Sequence, residues 1–297
     1  MIRVAGGTGR LGTRVVSLLQ QRGLSIRVLT RDRSRAANLD GPGVEIVEGD
    51  VRDPATVRHA VDGARQVVSA IQGFAGTKGQ SPAIIDRGGN HNLIEAARDA
   101  GVEHFVLVSV RDAALDHAMD LMRMKYVAEQ ELKSSGLAWT IIRPSAYMET
   151  WCEVLGRPLL KKGKTRVFGH GRNPINWVSA CDVARFVELA IVDPRMRGKV
   201  IEIDGPENLT MADFVDVVRT ETGSTGSVGR ILPLAMRLAA VAMGAVNPDV
   251  ARQIRAAIVM DTQVQAFDAL QTRRRYPSFP GTHLREIVRQ HLATESV

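Results

Sequence analysis

Met1-Ile2-Arg3-Val4-Ala5-Gly6-Gly7-Thr8-Gly9-Arg10-Leu11-Gly12 opens the chain, and its reading decides the fold. The apolar run Ile2 to Ala5 is a short strand that enters glycines at Gly6, Gly9 and Gly12. A helical pattern follows at once, with Val15, Val16, Leu18 and Leu19 apolar and Arg14, Gln20, Gln21 and Arg22 polar. A βα turn of this kind is where a dinucleotide pyrophosphate sits, on the free N–H groups and positive end of the helix. Gly6 allows the tight turn, Gly9 lets backbone approach the phosphates, and Gly12 lets the helix pack close to the strand. Thr8, Arg10 and Leu11 complete the candidate phosphate loop. The spacing G-x-x-G-x-x-G departs from the commoner G-x-G-x-x-G, so the signal rests on its place between strand and helix.

Outward from this turn, strands and helices alternate. Short runs rich in Val, Ile and Leu predict strands at 25–30, 44–48, 66–70, 104–109 and 138–143. Helical patterns lie between them at 9–22, 54–61, 83–100 and 119–134. This alternation predicts an α/β fold, a Rossmann-type doubly wound parallel sheet with loops gathered at the carboxyl ends of its strands. After Pro144 the rhythm changes. Residues 151–178 form a Gly- and Lys-containing segment with a short apolar run, Ile175-Asn176-Trp177-Val178. Ser179 with Asp182, and Thr210 with Asp213, are capping-box patterns that open helices to 192 and about 222. A further strand is expected at 199–204, and helices at 232–246, 249–260 and after 282. The expected organisation is a dinucleotide-binding core at 1–150, an excursion toward a substrate cleft at 151–178, and a helix and strand returning to the core at 179–205. A smaller, mostly helical part that covers the substrate follows at 206–297.

The balance of charge is basic, +7 over 297 residues, which suits an anionic ligand or surface. Most basic residues are dispersed, and the clusters Lys161-Lys162-Gly163-Lys164 and Arg273-Arg274-Arg275 have no aromatic residues interleaved for base stacking. Solvated surface charge is therefore expected rather than nucleic-acid binding. Cys152 and Cys181 form no disulfide framework, and neither they nor the histidines have metal-ligand spacing, so no metal is expected. With a strand beginning at Ile2, no signal peptide is expected, and the reading is a cytoplasmic protein. The apolar stretch from Ile231 to Val246 is interrupted by Pro233 and Arg237, too short and broken to span a bilayer. It reads as an amphipathic or covering helix.

Four stretches carry a resemblance to a known family: Gly6 to Gly12; Gly49-Asp50-Val51 with Asp53-Pro54; Asp86 through Gly101-Val102 to Phe105-Val106-Leu107-Val108-Ser109; and Lys125 through Glu129 and Ser135-Gly136-Leu137 to Arg143-Pro144. A fifth runs from Asp182-Val183-Ala184 to Gly205-Pro206. Together they resemble an atypical short-chain dehydrogenase/reductase, of the NmrA-like and complex I 39-kDa-subunit-like branch, over about two-thirds of the chain. The resemblance implies an NAD(P)-binding protein, in a family that also includes members without turnover.

It also implies roles for residues. A carboxylate after the second strand accepts hydrogen bonds from a ribose 2′-OH, whereas an arginine there pairs with a 2′-phosphate. Arg31 sits at that position, with Arg35 nearby, and favours NADP(H) over NAD(H); Asp32 is the competing ribose acid. Asp50 and Val51 resemble the pair that contacts adenine. Ser69 to Gln72, including Ala70 and Ile71, would run beside the nicotinamide ribose, with Pro144 at the same end. Gly73, Gly76 and Gly79 then suggest a mobile loop.

Enzymes of the wider superfamily use Tyr-x-x-x-Lys on one helix face with a Ser at the end of the preceding strand. Ser109 and Lys125 match the Ser and Lys, but Leu121 stands where the Tyr would be. Lys125 is then the acid/base group, or the proton comes from Tyr147, Tyr126, His117 or Asp112, or the hydride acceptor needs little help. The leading expectation is an NADP-dependent reductase of a small apolar carbonyl, enone or quinone, with Lys125, Ser109 and Tyr147 as catalytic candidates. The alternative is a non-catalytic NAD(P)H-binding regulator or assembly factor. Related Tyr-containing helices often form dimers, so a homodimer stays open.

Overall fold

Parallel pairing of β1 (Ile2–Ala5) with both β2 (Ile26–Thr30) and β4 (Gln66–Ser69) sets the centre of the main sheet in the computed structural model. The structure describes residues 1–292 apart from positions 40, 77, 78, 269 and 280. Its seven-stranded sheet has the order β10-β6-β5-β4-β1-β2-β3, with β3 at Val44–Glu48, β5 at His104–Val108, β6 at Trp139–Pro144 and β10 at Lys199–Ile203. The pairs β2–β3, β4–β5 and β5–β6 are also parallel. Strand order reverses between β1 and β4, the switch point at which open α/β sheets bind ligands. The doubly wound Rossmann-type sheet read from the sequence is therefore present.

Contacts divide the chain into two units. The first comprises residues 1–144 and 183–202 and holds this sheet. Helices α1 (Arg10–Gln21), α2 (Pro54–Val61), α3 (Asn90–Asp99) and α4 (Asp120–Ser134) connect the strands. One layer of its core packs Val57, Ala60 and Val61 of α2, and Leu93, Ile94 and Ala97 of α3, over Ala5, Val67, Phe105 and Leu107 of the sheet. Asp53 caps α2 by accepting from the Ala55 N–H at 2.9 Å, and Pro54 occupies its first turn, where a missing N–H costs nothing. The helix expected at 83–100 has two parts. Residues Ala83–Gly89 form wide π-helical turns, and regular α-helix begins only at Asn90. The widened turns bring Asp86 inward, where it is fully buried.

The second unit comprises residues 145–182 and 203–297. The segment 151–178 is more regular than its composition suggests. After β7 (Ala146–Tyr147) come α5 (Met148–Trp151), a π-helical turn at Cys152–Gly156, α6 (Arg157–Lys162), β8 (Lys164–Phe168) and β9 (Ile175–Val178). Gly163, at φ +61°, ends α6 and lets β8 begin directly. Trp151 lies edge-on to both Phe168 and Trp177, and Trp177 to Phe214, with ring centroids 6.1, 5.3 and 5.2 Å apart. Cys152 is buried in that core and faces no cleft.

The helix α7 (Ala180–Val192) starts in this unit, but its entry differs from a simple capping box. Glu149 accepts from the Ala180 N–H at 2.9 Å and from Ser179 Oγ at 3.1 Å, while the Asp182 carboxylate accepts from the Thr282 N–H and Oγ1. Ser179 Oγ still accepts from the Cys181 N–H at 3.1 Å, and Glu149 adds a non-local carboxylate to the helix entry. After β11 (Glu207–Leu209), the Thr210–Asp213 box does form and opens α8 (Met211–Thr222). The chain continues through β12 (Ser227–Ile231), α9 (Pro233–Val246), α10 (Pro248–Thr262), α11 (Gln271–Arg275) and α12 (Leu284–His291). No helix among the described residues is long and apolar enough to cross a membrane.

Candidate active site

The first-unit candidates gather around the carboxyl ends of the parallel strands, in the segments that follow them or, for Lys125, on α4, from which its ammonium reaches the Ile71 and Val108 carbonyls. Gly6 follows β1 at φ +81°, and a Cβ there would lie 2.6 Å from the Ala70 carbonyl oxygen at the end of β4. A Cβ on Gly12 would lie 2.1 Å from Gly6 O, so only glycine lets α1 start this close to the strand. Gly9 differs: its absent Cβ would meet only Gly6 O, at 3.2 Å, and faces open space otherwise. Gly9 is also the N-cap of α1, without a side-chain cap, and the first turn holds no acidic residue. The first-turn amides of Arg10, Leu11 and Gly12 are those a helix leaves without intrahelical acceptors. Thr8 lies in the turn, Leu11 is buried and Arg10 is exposed. This open, uncapped, positive helix end fits a pyrophosphate.

The next two strand ends carry the residues expected on the adenosine side. Arg31 and Arg35 are exposed just after β2. Asp32 turns its carboxylate to Ser34, accepting from the N–H at 2.9 Å and from Oγ at 2.6 Å. These bonds lower its pKa and make it the cap of the short 3₁₀ helix Arg33–Leu39. Asp50, after β3, is held by Arg52 through contacts of 2.6 to 3.0 Å, which lower its pKa, with a smaller contribution from Arg31. Val51 is buried, and its carbonyl accepts from Asn92 Nδ2 at 2.8 Å.

At the ends of β4, β5 and β6 the arrangement is closed. Lys125 is 2% exposed, and its ammonium donates to Ile71 O at 2.8 Å and Val108 O at 2.9 Å, with Asp86 Oδ1 at 3.1 Å. Two of its hydrogens thus go to backbone carbonyls, and the Asp86 carboxylate is its ion-pair partner. The other Asp86 oxygen accepts from the Gly73 N–H at 2.8 Å, at the root of the expected glycine loop; part of that loop, residues 77 and 78, lies outside the described residues. Asn90 donates to Asp86 O and accepts from Ser69 Oγ, both at 2.6 Å.

Ser109 donates to Glu129 Oε1 at 2.5 Å, and Arg143 grips the same carboxylate through Nε at 2.8 Å and Nη2 at 2.5 Å. Glu129 is fully buried. Arg111 pairs with Glu202, and its N–H donates to Pro144 O at 2.8 Å, tying the ends of β5 and β6. Leu121 is buried in α4.

The remaining proton-donor candidates divide. Burial pushes the His117 imidazole down, and its Nδ1 accepts from the Met119 N–H at 3.0 Å, so the ring is neutral with its proton on Nε2. Asp112 has a left-handed backbone, φ 57°. Tyr147 belongs to the second unit, on β7 beside Val178 of β9. Burial, and then the charge of Glu149, push its phenol up, so it stays protonated.

Asp86, Asn90, Glu129 and Arg143 were not singled out as site residues from sequence. A signal existed: Asp86/Asn90 and Lys125/Glu129 are both i, i+4 polar pairs on otherwise apolar helical faces. The second reads as a local ion pair. In the fold the two partners separate, Lys125 toward Asp86 and Glu129 toward Arg143 and Ser109.

A family model described as NAD(P)H-binding matches residues 6–194. The chain is similar to an NAD(P)H azoreductase of Xenophilus azovorans, 30% identical over 224 residues, covering 75% of this chain and 74% of that protein. It is similar as well to the photosystem II assembly factor Ycf39 of Cyanophora paradoxa, 27% identical, covering 77% of this chain and 71% of that protein. Among solved structures, the NADPH complex of the quinone oxidoreductase QOR2 of Escherichia coli matches with a TM-score of 0.79 at 22% identity, covering 98% of this chain and 99% of that one. At that identity the likeness bears on the fold.

Proposed function

Because the chain belongs to the NAD(P)H-binding family, of atypical short-chain dehydrogenase/reductase type, we propose that it is an NADPH-dependent reductase of a small apolar acceptor. The acceptor we favour is a quinone, whose reduced form takes its proton from water. The single observation behind this reading is how this end is engaged: Lys125 donates to two backbone carbonyls and is ion-paired with Asp86, Ser109 donates to Glu129, and Leu121 has no proton to give. A ketone needs a proton on its oxygen as the hydride arrives. A quinone delocalises the charge it receives and needs no such donor.

Bound NADPH would supply a hydride from C4 of its nicotinamide. The protein's own residues do the rest by position. The uncapped end of α1 holds the pyrophosphate, and Arg31, with Arg35, holds the 2′-phosphate. Asp32, committed to Ser34, does not compete as a ribose acid. Lys125 fixes the carbonyls that end β4 and β5, so we assign it a positioning role. Ser109 fixes the start of the loop after β5 in the same way. The hydride and one proton from solvent would convert the quinone to its hydroquinone, with NADP⁺ as the other product.

The relatives support a reductase in general terms: one is named as an azoreductase, and a fold neighbour as a quinone oxidoreductase. A second reading stands on Leu121 and on the likeness to an assembly factor: a protein that holds NADP(H) without turning it over. NADPH oxidation separates the two. With a panel of benzoquinones, naphthoquinones, azo dyes and aldehydes, the expected result is turnover of quinones, with kcat flat from about pH 6 to 8 because no protein group titrates in the step. Preferential turnover of aldehydes with a titrating group in kcat would overturn the quinone reading. Stoichiometric NADPH binding without oxidation across the panel would establish the non-catalytic one.

A further inference from the structure

The second unit carries a surface that the reductase reading does not use. Helix α9 is apolar on nearly every side, Pro-Leu-Ala-Met-Arg-Leu-Ala-Ala-Val-Ala-Met-Gly-Ala-Val, with Arg237 its one charged residue. A helix of that composition is ordinarily buried all round. Here only Met236 and Ala240 are buried. Leu234, Leu238 and Val241 are 68, 64 and 78% exposed, and Leu232 and Val246 at its two ends are equally open. Leucines at 234 and 238 and valine at 241 follow i, i+4, i+7 and share one face. A contiguous apolar stripe of this kind is a contact surface.

What covers it follows from charge. No Asp or Glu occurs between Glu221 and Asp249, whereas Arg230 and Arg237 do. Arg255 of α10 lies against α9 at Gly244, where a Cβ would be 3.5 Å from its guanidinium. Parallel pairing of β12 with β8 sets Lys164 opposite Ser227 and Arg166 opposite Gly229, and Lys162 precedes them at the end of α6. All of these basic side chains are exposed. The nearby acids are engaged: Asp249 with Arg252, and Asp261 with the His170 and Gly171 N–H groups. A second copy of the chain would bring the same cations face to face. An apolar stripe on a helix that carries Arg237, with Arg255 beside it and further exposed cations on β8 and β12 of the same unit, matches an anionic lipid surface, with leucine and valine entering the acyl boundary and the arginines at the phosphates.

We propose that α9, with the basic rim of β8 and β12, docks the protein on an anionic bilayer surface without crossing it. The proposal is independent of which acceptor the first unit reduces. Sedimentation with vesicles tests it. The full-length protein is expected to bind vesicles of phosphatidylcholine mixed with phosphatidylglycerol, to leave pure phosphatidylcholine in the supernatant fraction, and to be released by added NaCl. Val241→Asp is expected to weaken partition about tenfold and Arg237→Ala about fivefold. Both variants keep NADPH binding and thermal midpoint, which separates surface loss from misfolding. Equal binding to neutral vesicles, or none to either, overturns the proposal. So does retention on an oligonucleotide with none on vesicles, and so does a concentration-dependent dimer that Val241→Asp dissolves, which would make the occupant a second copy. The salt dependence of the unmodified protein decides the matter even if a variant fails to fold.

Discussion

The two ends of the candidate site are built on opposite principles, although both lie at the carboxyl edge of one sheet. At the phosphate end, donors point outward: the first-turn amides of α1 have no cap, Gly9 removes the only side chain in the way, and Arg31 stands exposed. At the end expected to take the nicotinamide, donors point inward: Lys125 donates to two backbone carbonyls and pairs with Asp86, and Ser109 and Arg143 donate to Glu129. The first end is open to a charged ligand. The second is made to keep its own shape. A family resemblance alone assigns Lys125 and Ser109 to chemistry, but a buried group with its hydrogens placed acts first on the fold.

The sharpest way to break this contrast is Lys125→Met. If the ammonium is structural, its loss leaves the fully buried Asp86 carboxylate without its counter-charge and destabilises the protein by about 3–5 kcal/mol in chemical denaturation. The double variant Lys125→Met/Asp86→Leu should regain most of that loss, since replacing both members of a buried pair is far cheaper than removing one. A single variant as stable as the parent would show that the lysine is free for acid/base work. The glycines give a second, smaller contrast. Gly9→Val should lose less stability than Gly12→Ala yet bind NADPH more weakly by about 2 kcal/mol, because its Cβ meets the Gly6 carbonyl at 3.2 Å rather than 2.1 Å and otherwise faces open space. Gly12→Ala should lose stability as well as binding, since its Cβ meets the Gly6 carbonyl. Equal stability losses in both would place Gly9 in the packing rather than in the ligand site.

What the sequence disclosed, and what it hid, divides along the same line. The turn after β1, the alternation of strands and helices and the helix starts at Asp53 and Thr210 depend on residues close in sequence, and periodicity exposes such features. Partner choice among buried charges is non-local. Lys125 and Glu129 look like a helical pair, but the fold sends them to Asp86 and Arg143. The same reason explains the entry to α7, where Glu149 from an earlier helix caps the Ala180 amide. It also explains why β8 and β12 escaped notice: both are short and carry exposed charge, and each becomes a strand by pairing with the other across a long stretch of chain.

The smallest expected effect concerns the choice of cofactor, and it tests whether the open end reads its ligand by charge. Arg31 is exposed, so its pairing with a 2′-phosphate is partly screened by solvent and worth less than a buried contact. Arg31→Ala should therefore raise the Kd for NADPH about tenfold, or about 1.4 kcal/mol, while leaving NADH binding unchanged, as read by fluorescence titration. The difference should shrink as salt is raised. Asp32→Ala makes the converse test. Because the Asp32 carboxylate is bound to Ser34 and caps the following 3₁₀ helix, its removal should leave NADH affinity unchanged. If NADH binding fell instead, Asp32 would be serving the ribose. The open end would then select its ligand through a carboxylate that turns from Ser34 when the cofactor arrives, and the division between an open and a closed end would hold only for the free protein.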